Sequence, residues 1–170
     1  MSNKPTIEPG RFFSAPLLGG GYAYGYFTYF DKSLMALCNV YDFIGTEADV
    51  PDDIETHPLI LQDLRIGTSE FKLKPRDAEE YGEKWLLSPR MKDGEVKPAS
   101  RIFLMGPDHA PDAFDIYRDE PARPATAEEK NTLQSVGFMF PPTTTNTIEV
   151  SIRRIDIDPD DFYPEDFPKN

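Results

Sequence analysis

Arg11-Phe-Phe-Ser-Ala-Pro-Leu-Leu-Gly-Gly-Gly-Tyr-Ala-Tyr-Gly-Tyr-Phe-Thr-Tyr-Phe30 reads as two strands and the turn that joins them. The first strand spans residues 11–15 and stops at Pro16. Gly19, Gly20 and Gly21 then form a turn in which positive φ carries no Cβ penalty. From Tyr22 the pattern alternates, with Tyr22, Tyr24, Tyr26 and Thr28 on one face and Ala23, Gly25, Phe27 and Tyr29 on the other. Aromatic rings on both faces predict a sheet covered on both sides. Gly25, inside this strand, marks a position where another backbone or ring packs closely.

Working outward, Phe30-Asp31-Lys32-Ser33 makes a tight turn into a third apolar run at 34–43, so the N-terminal third is a meander. An acidic segment, 47–55, leads to Leu59-Ile-Leu-Gln-Asp-Leu-Arg-Ile66, read as a strand ending at Gly67. Phe71-Lys-Leu-Lys74 reads as a further strand, 75–81 as a helical turn, and Lys84-Trp-Leu-Leu87 as a strand stopped by Ser88-Pro89. Residues 91–100 are polar and form a loop before the strand 101–105. Residues 106–125 hold four prolines among many charges and read as a long surface excursion, a kind of segment that often carries function. Thr126-Ala-Glu-Glu129 has the form of a capping box and starts a helix over 127–135, closed by Gly137. Thr147-Ile-Glu-Val-Ser-Ile152 alternates as a half-buried strand. The expected fold class is α+β, mostly β: a strongly twisted antiparallel sheet with one or two short helices. The expected organisation is a lead-in over 1–9, one domain over 10–155 and an acidic aromatic tail over 156–170.

Thirty acids against eighteen Lys and Arg give a net charge of −12 on 170 residues. Such a surface repels phosphate backbones and anionic lipid, so nucleic acid and membrane surfaces are not the expected partners, and a basic protein is. No run approaches the roughly 18 apolar residues that cross a bilayer. The N-terminal residues show no apolar signal region, so the cytoplasm is the expected compartment. Cys38 is the only cysteine and lies in an apolar run, which excludes an internal disulfide and suits a core thiol.

The motifs that carry chemistry are thin. His57 and His109 lie in no metal-ligand spacing and read as solvated loop histidines. Asp156-Ile-Asp158-Pro-Asp160 begins like a calcium loop, but Asp161 stands where that loop needs Gly and Phe167 where it needs Glu. The triple glycine lacks the third Gly of a dinucleotide fingerprint and the Lys-Ser or Lys-Thr of a phosphate loop. No serine sits in a nucleophile elbow. No cofactor, no metal and no catalysis are expected.

Pro9-Gly-Arg-Phe-Phe-Ser-Ala-Pro-Leu-Leu-Gly-Gly-Gly-Tyr-Ala-Tyr-Gly-Tyr26, then Leu37-Cys-Asn-Val-Tyr-Asp-Phe43 and Lys84-Trp85, resembles the immunity protein 26 family of bacterial polymorphic toxin systems. Gly10, Pro16, Leu17, Gly21, Tyr22, Tyr24 and Gly25 fall on the family pattern, and Arg11 departs from its usual Asp. The resemblance covers about residues 9–89. It implies a mostly β domain without catalytic residues that neutralises a cognate toxin by binding it. Charge then points to a basic toxin and to three acidic contact stretches: Glu47, Asp49, Asp52, Asp53 and Glu55; Asp108, Asp112 and Asp115; and Asp156, Asp158, Asp160 and Asp161. Two other readings stay open. One is a structural or adaptor protein of a bacterial assembly; the other is a small-molecule binder or enzyme using His109, Asp108 and Tyr24.

Overall fold

The computed structural model describes residues 6–31, 35–67, 71–72, 83–135 and 141–161. The fold is α+β and mostly β. Contacts divide the chain into two compact units, residues 1–97 with 139–170, and Pro98–Phe138, where the sequence reading takes 10–155 as one domain.

In the larger unit β1 (Arg11–Pro16), β2 (Tyr22–Asp31), β3 (Met35–Gly45), β4 (Leu59–Ile66) and β5 (Leu86–Met91) form an antiparallel sheet in the order β4-β3-β2-β1-β5. Alternation sorts the rings as the sequence requires. Phe13, Ala23, Phe27, Cys38 and Val40 face one core, and Phe12, Tyr24, Tyr26 and Tyr41 face another. Trp85 stacks on Phe13 with centroids 5.3 Å apart, and Phe71 meets both rings edge-on.

Gly25 pairs with Phe13 across the β1–β2 ladder. A Cβ there would overlap the Asn39 carbonyl oxygen and lie 2.6 Å from the Phe13 ring, so the ring occupies the space that any other residue would fill. Register slips interrupt the ladders at Thr28 in β2 and opposite Asn39 in β4. Asn39 fills the second slip: its Oδ1 accepts from the Asp63 amide at 3.0 Å and its Nδ2 donates to the Tyr26 hydroxyl at 2.9 Å. Asp63 is buried there with φ of 53°, a left-handed backbone that Asp tolerates better than bulkier residues.

The segment expected as a final strand, 147–152, is instead part of a helix, α2 (Pro141–Arg153). Ile148 and Ile152, one helical turn apart, pack into the core with Phe13 and Trp85. Val150 points to the far side and is buried as well. There the chain returns along the helix, with the Ile155 amide donating to the Val150 carbonyl and Asn146 Nδ2 to the Pro159 carbonyl. A helix covered on two sides buries Ile148, Val150 and Ile152 alike, so its apolar residues alternate as in a strand although Glu149 between them is buried too. The acidic tail packs back on α2 as far as Asp161.

Fully buried Glu149 ties α2 to the glycine turn. Its carboxylate accepts from the amides of Leu18 at 3.0 Å and Gly19 at 3.1 Å. Arg153 pairs with it at 2.6 Å and donates to the Gly20 carbonyl at 2.8 Å.

Two nearer readings also shift. The strand expected over 84–87 is β5, which passes through Pro89 and pairs with β1 alone; an edge tolerates the missing amide. Phe71 and Lys72 lie in a turn rather than a strand, while the helical turn expected over 75–81 falls outside the described residues.

The smaller unit holds β6 (Ile102–Met105), β7 (Asp112–Asp115), β8 (Arg123–Pro124) and α1 (Ala127–Thr132). The expected excursion 106–125 thus contains two strands, with Ala113, Phe114 and Ile116 buried. Charges at both ends of Asp112-Ala-Phe-Asp115 disguised so short a strand. The capping box of α1 forms, with Glu129 N donating to Thr126 Oγ1 at 3.2 Å and Thr126 N to Glu129 Oε2 at 2.8 Å. The helix ends at Thr132 rather than 135, because Leu133 is already extended.

Gly25→Ala is expected to lower stability by about 2–3 kcal/mol through overpacking against Phe13 and the Asn39 carbonyl. Urea unfolding would register this as a lower midpoint at unchanged slope.

Candidate protein-binding surface

The acidic loop 46–58 joins β3 to β4 and is fixed to the tyrosine face of the sheet. Gly45 makes the entry possible, since a Cβ would overlap the Tyr24 hydroxyl, which donates to the Glu47 carbonyl. Burial first, and then the neighbouring Glu47 carboxylate, raises the Tyr24 phenol above its ordinary range and keeps it a neutral donor. Ile54, in a 3-10 turn (Ile54–Thr56), is fully buried among Phe12, Tyr24, Tyr26 and Tyr41. The His57 ring lies 4.3 Å from that of Phe43, and the Asp42 amide donates to the Pro58 carbonyl at the loop's exit.

Two cations from β5 and its end clamp the middle. Arg90 donates to the Pro51 carbonyl at 2.7 Å and the Asp52 carbonyl at 3.2 Å, and pairs with Glu55 at 3.3 Å. Lys92 takes the other oxygen of Glu55. The guanidinium sits over Phe12 at 4.8 Å and the ammonium over Tyr26 at 5.1 Å, so the clamp also roofs the aromatic cluster. Glu55 is thus spent within the molecule. The carboxylates of Glu47, Asp49, Asp52 and Asp53 are exposed, and none is in an ion pair among the described residues. The loop is a fixed anionic surface on a rigid support.

The tail begins at the same end of the sheet. Arg154 pairs with Asp42 on β3 at 2.6 Å, which places exposed Asp156 near the strand that feeds the acidic loop. Asp158 and Asp161 are exposed along the return over α2, and Asp160 carries only its backbone in the described part. The structure therefore brings 47–55 and 156–161 into one unit. The third stretch belongs to the other unit.

In that unit Asp108 and Asp112 are exposed, but Asp115 is buried. Its buried carboxylate takes two bonds from Arg101, at 3.0 and 2.6 Å, and one from the Tyr117 amide at 3.0 Å. The Arg101 hydrogen bonds, outweighing burial, hold it at about 2, below the ordinary 3.8. Its role is to hold the turn that follows β7. Of the enzyme candidates, His109 and Asp108 lie exposed in the smaller unit, whereas Tyr24 is buried in the larger with its hydroxyl committed to Glu47. Among the described residues no three His, Cys, Asp or Glu side chains converge as a metal would require, and no helix is long and apolar enough to cross a membrane.

Compared with known protein families, characterised proteins and solved structures, the chain matches none.

Sequence reasoning missed the clamp and the buried Glu149. The clamp had a signal, since Arg90 and Lys92 are two apart across Met91 and so share a face of an extended segment. Glu149 had none, because its carboxylate is matched by turn amides 130 and 131 residues away.

Arg90→Ala is expected to speed amide exchange at 51–57 at least tenfold, with the β1–β3 amides unchanged, as read by exchange mass spectrometry. For Asp115, whose folded pKa lies below its unfolded one, the stabilisation is complete above about pH 4 and is lost as pH falls through about 2. Protection of the Ala113 and Phe114 amides should accordingly differ between wild type and Asp115→Asn at neutral pH and converge near pH 2.

Proposed function

We propose that this protein is a bacterial immunity protein that binds a basic cognate toxin in the cytoplasm and neutralises it without catalysis. The observation that carries the reading is the clamped loop 46–58, where Glu47, Asp49, Asp52 and Asp53 project from a backbone that Arg90, Lys92 and Ile54 hold in place. Carboxylates on a backbone already held in place spare the cost of ordering the loop on binding and steer a cationic partner by their field. A toxin that acts on nucleic acid has a basic substrate surface of that kind, and masking it would inhibit without chemistry. The resemblance of residues 9–89 to the immunity protein 26 family supports the same reading, and Asp156 extends the acidic surface. Glu55 and Asp115 are left out of the contact set, since internal cations hold both.

The test is capture by the immobilised protein from a lysate of its own bacterium at low and high salt, followed by coexpression of the captured protein in a sensitive host. The expected result is one basic partner, bound one to one, released by salt and toxic unless wild-type protein is coexpressed. Replacing Glu47, Asp49, Asp52 and Asp53 together by Lys should weaken binding at least a hundredfold and abolish protection. Full protection by that variant would remove the acidic loop from the interface. Recovery of many copies of a structural subunit would instead make the protein part of an assembly.

A further inference from the structure

We propose that α2 is a conditional helix: a strand-forming sequence that docking keeps helical, able to undock with residues 154–161 as one body while the five-stranded sheet stays folded. The inference is independent of the function proposed above.

Three observations carry it. Between Thr144 and Ile152, β-branched side chains occupy 144, 145, 147, 148, 150 and 152, and Glu149 is the only strong helix former among the nine residues. Such residues lose rotamer freedom in a helix and fit a pleated strand. A helix of 13 residues is marginal in water even with favourable residues, so here helicity comes from what α2 touches.

What it touches is separate from the sheet's own bonding. Trp85 Nε1 donates to Thr145 Oγ1 at 3.3 Å, Glu149 holds the amides of Leu18 and Gly19, Arg153 reaches the Gly20 carbonyl and Arg154 pairs with Asp42. None of these bonds belongs to the β1–β5 ladder, so α2 can leave without breaking a strand pairing. With the sheet still folded, docking closes the loop of chain between Met91 and Pro141, which in sequence contains the smaller unit, and so carries a loop-closure cost that undocking returns.

The docked state is not fully satisfied either. Among the described residues Thr144 Oγ1 is buried without a hydrogen-bond partner, a cost that undocking relieves. On the opposite side of α2 the return chain is bonded to the helix itself, through Ile155 to Val150 and Asn146 to Pro159, and would move with it. Undocking bares Phe13, Phe27 and Trp85 and leaves Ile148, Val150 and Ile152 on a segment whose own preference is extended. The fold thus contains a lid whose closed form is imposed by its seat.

The deciding measurement is native-state amide exchange on the full chain over a series of sub-denaturing urea concentrations. The α2 amides should exchange at least tenfold faster than those of the β2–β3 ladder, with a weaker urea dependence. Ser151→Ala raises intrinsic helix preference without touching the core and should slow α2 exchange about twofold. Glu149→Gln should speed exchange in α2 and at residues 18–19 at least tenfold with β2–β3 unchanged. Should Glu149→Gln not fold, the wild-type rates and Ser151→Ala still decide. Equal rates and equal urea dependence in α2 and β2–β3, or no slowing in Ser151→Ala, would overturn the proposal.

Discussion

The packing of Phe13 against Gly25 is the constraint from which the rest of the larger unit follows. Because Gly25 has no side chain, the Phe13 ring can lie across it, and the same ring stacks on Trp85. That fixes one face of the sheet as an aromatic core and leaves the alternate positions, Phe12, Tyr24 and Tyr26, facing the other way. A sheet with large rings on both faces loses apolar burial wherever a face stays wet, so each needs its own cover. The two covers are of different kinds, a helix on one side and a clamped loop on the other.

Charge does the fastening in both cases, though in different settings. Glu149 is wholly buried, and a buried carboxylate is tolerable only when its lone pairs are met; two backbone amides and Arg153 do so. Removing one partner would cost more than the pair itself contributes, which makes this contact a determinant of where α2 sits rather than a large source of stability. Arg90 and Lys92 are half-exposed, and each ion pair alone is worth little in water. Their effect comes from combination, as the same two side chains hold loop carbonyls, neutralise Glu55 and lie over Phe12 and Tyr26. With its internal acid neutralised, the loop keeps its remaining negative charge pointed outward, where a partner can meet it.

The sheet was largely readable. The glycine turn at 19–21, the close approach at Gly25, the alternation through β2 and the strand at 59–66 all follow from local backbone and periodicity rules, because their residues respond to neighbours one or two positions away. Cys38 falls in the core for the same reason. The candidate surface was half readable: charge density picked out 47–55, but composition does not distinguish an acid that faces outward from one that an internal cation holds. Glu55 and Asp115 look like Asp52 and Asp112 in sequence, but Glu55 has Arg90 and Lys92 beside it and Asp115 is buried against Arg101.

The sequence by itself determined that this chain builds a two-faced antiparallel sheet with a strongly acidic surface, since side-chain alternation, glycine placement and net charge are local or additive properties. Only the tertiary structure decided that 147–152 is helical, that the tail folds back over it and that particular carboxylates are left unpaired. Those outcomes depend on partners far away in the chain. An alternating apolar pattern has the same appearance in a strand with one wet face and in a helix packed on two sides, and the choice between them is made by what lies against each side.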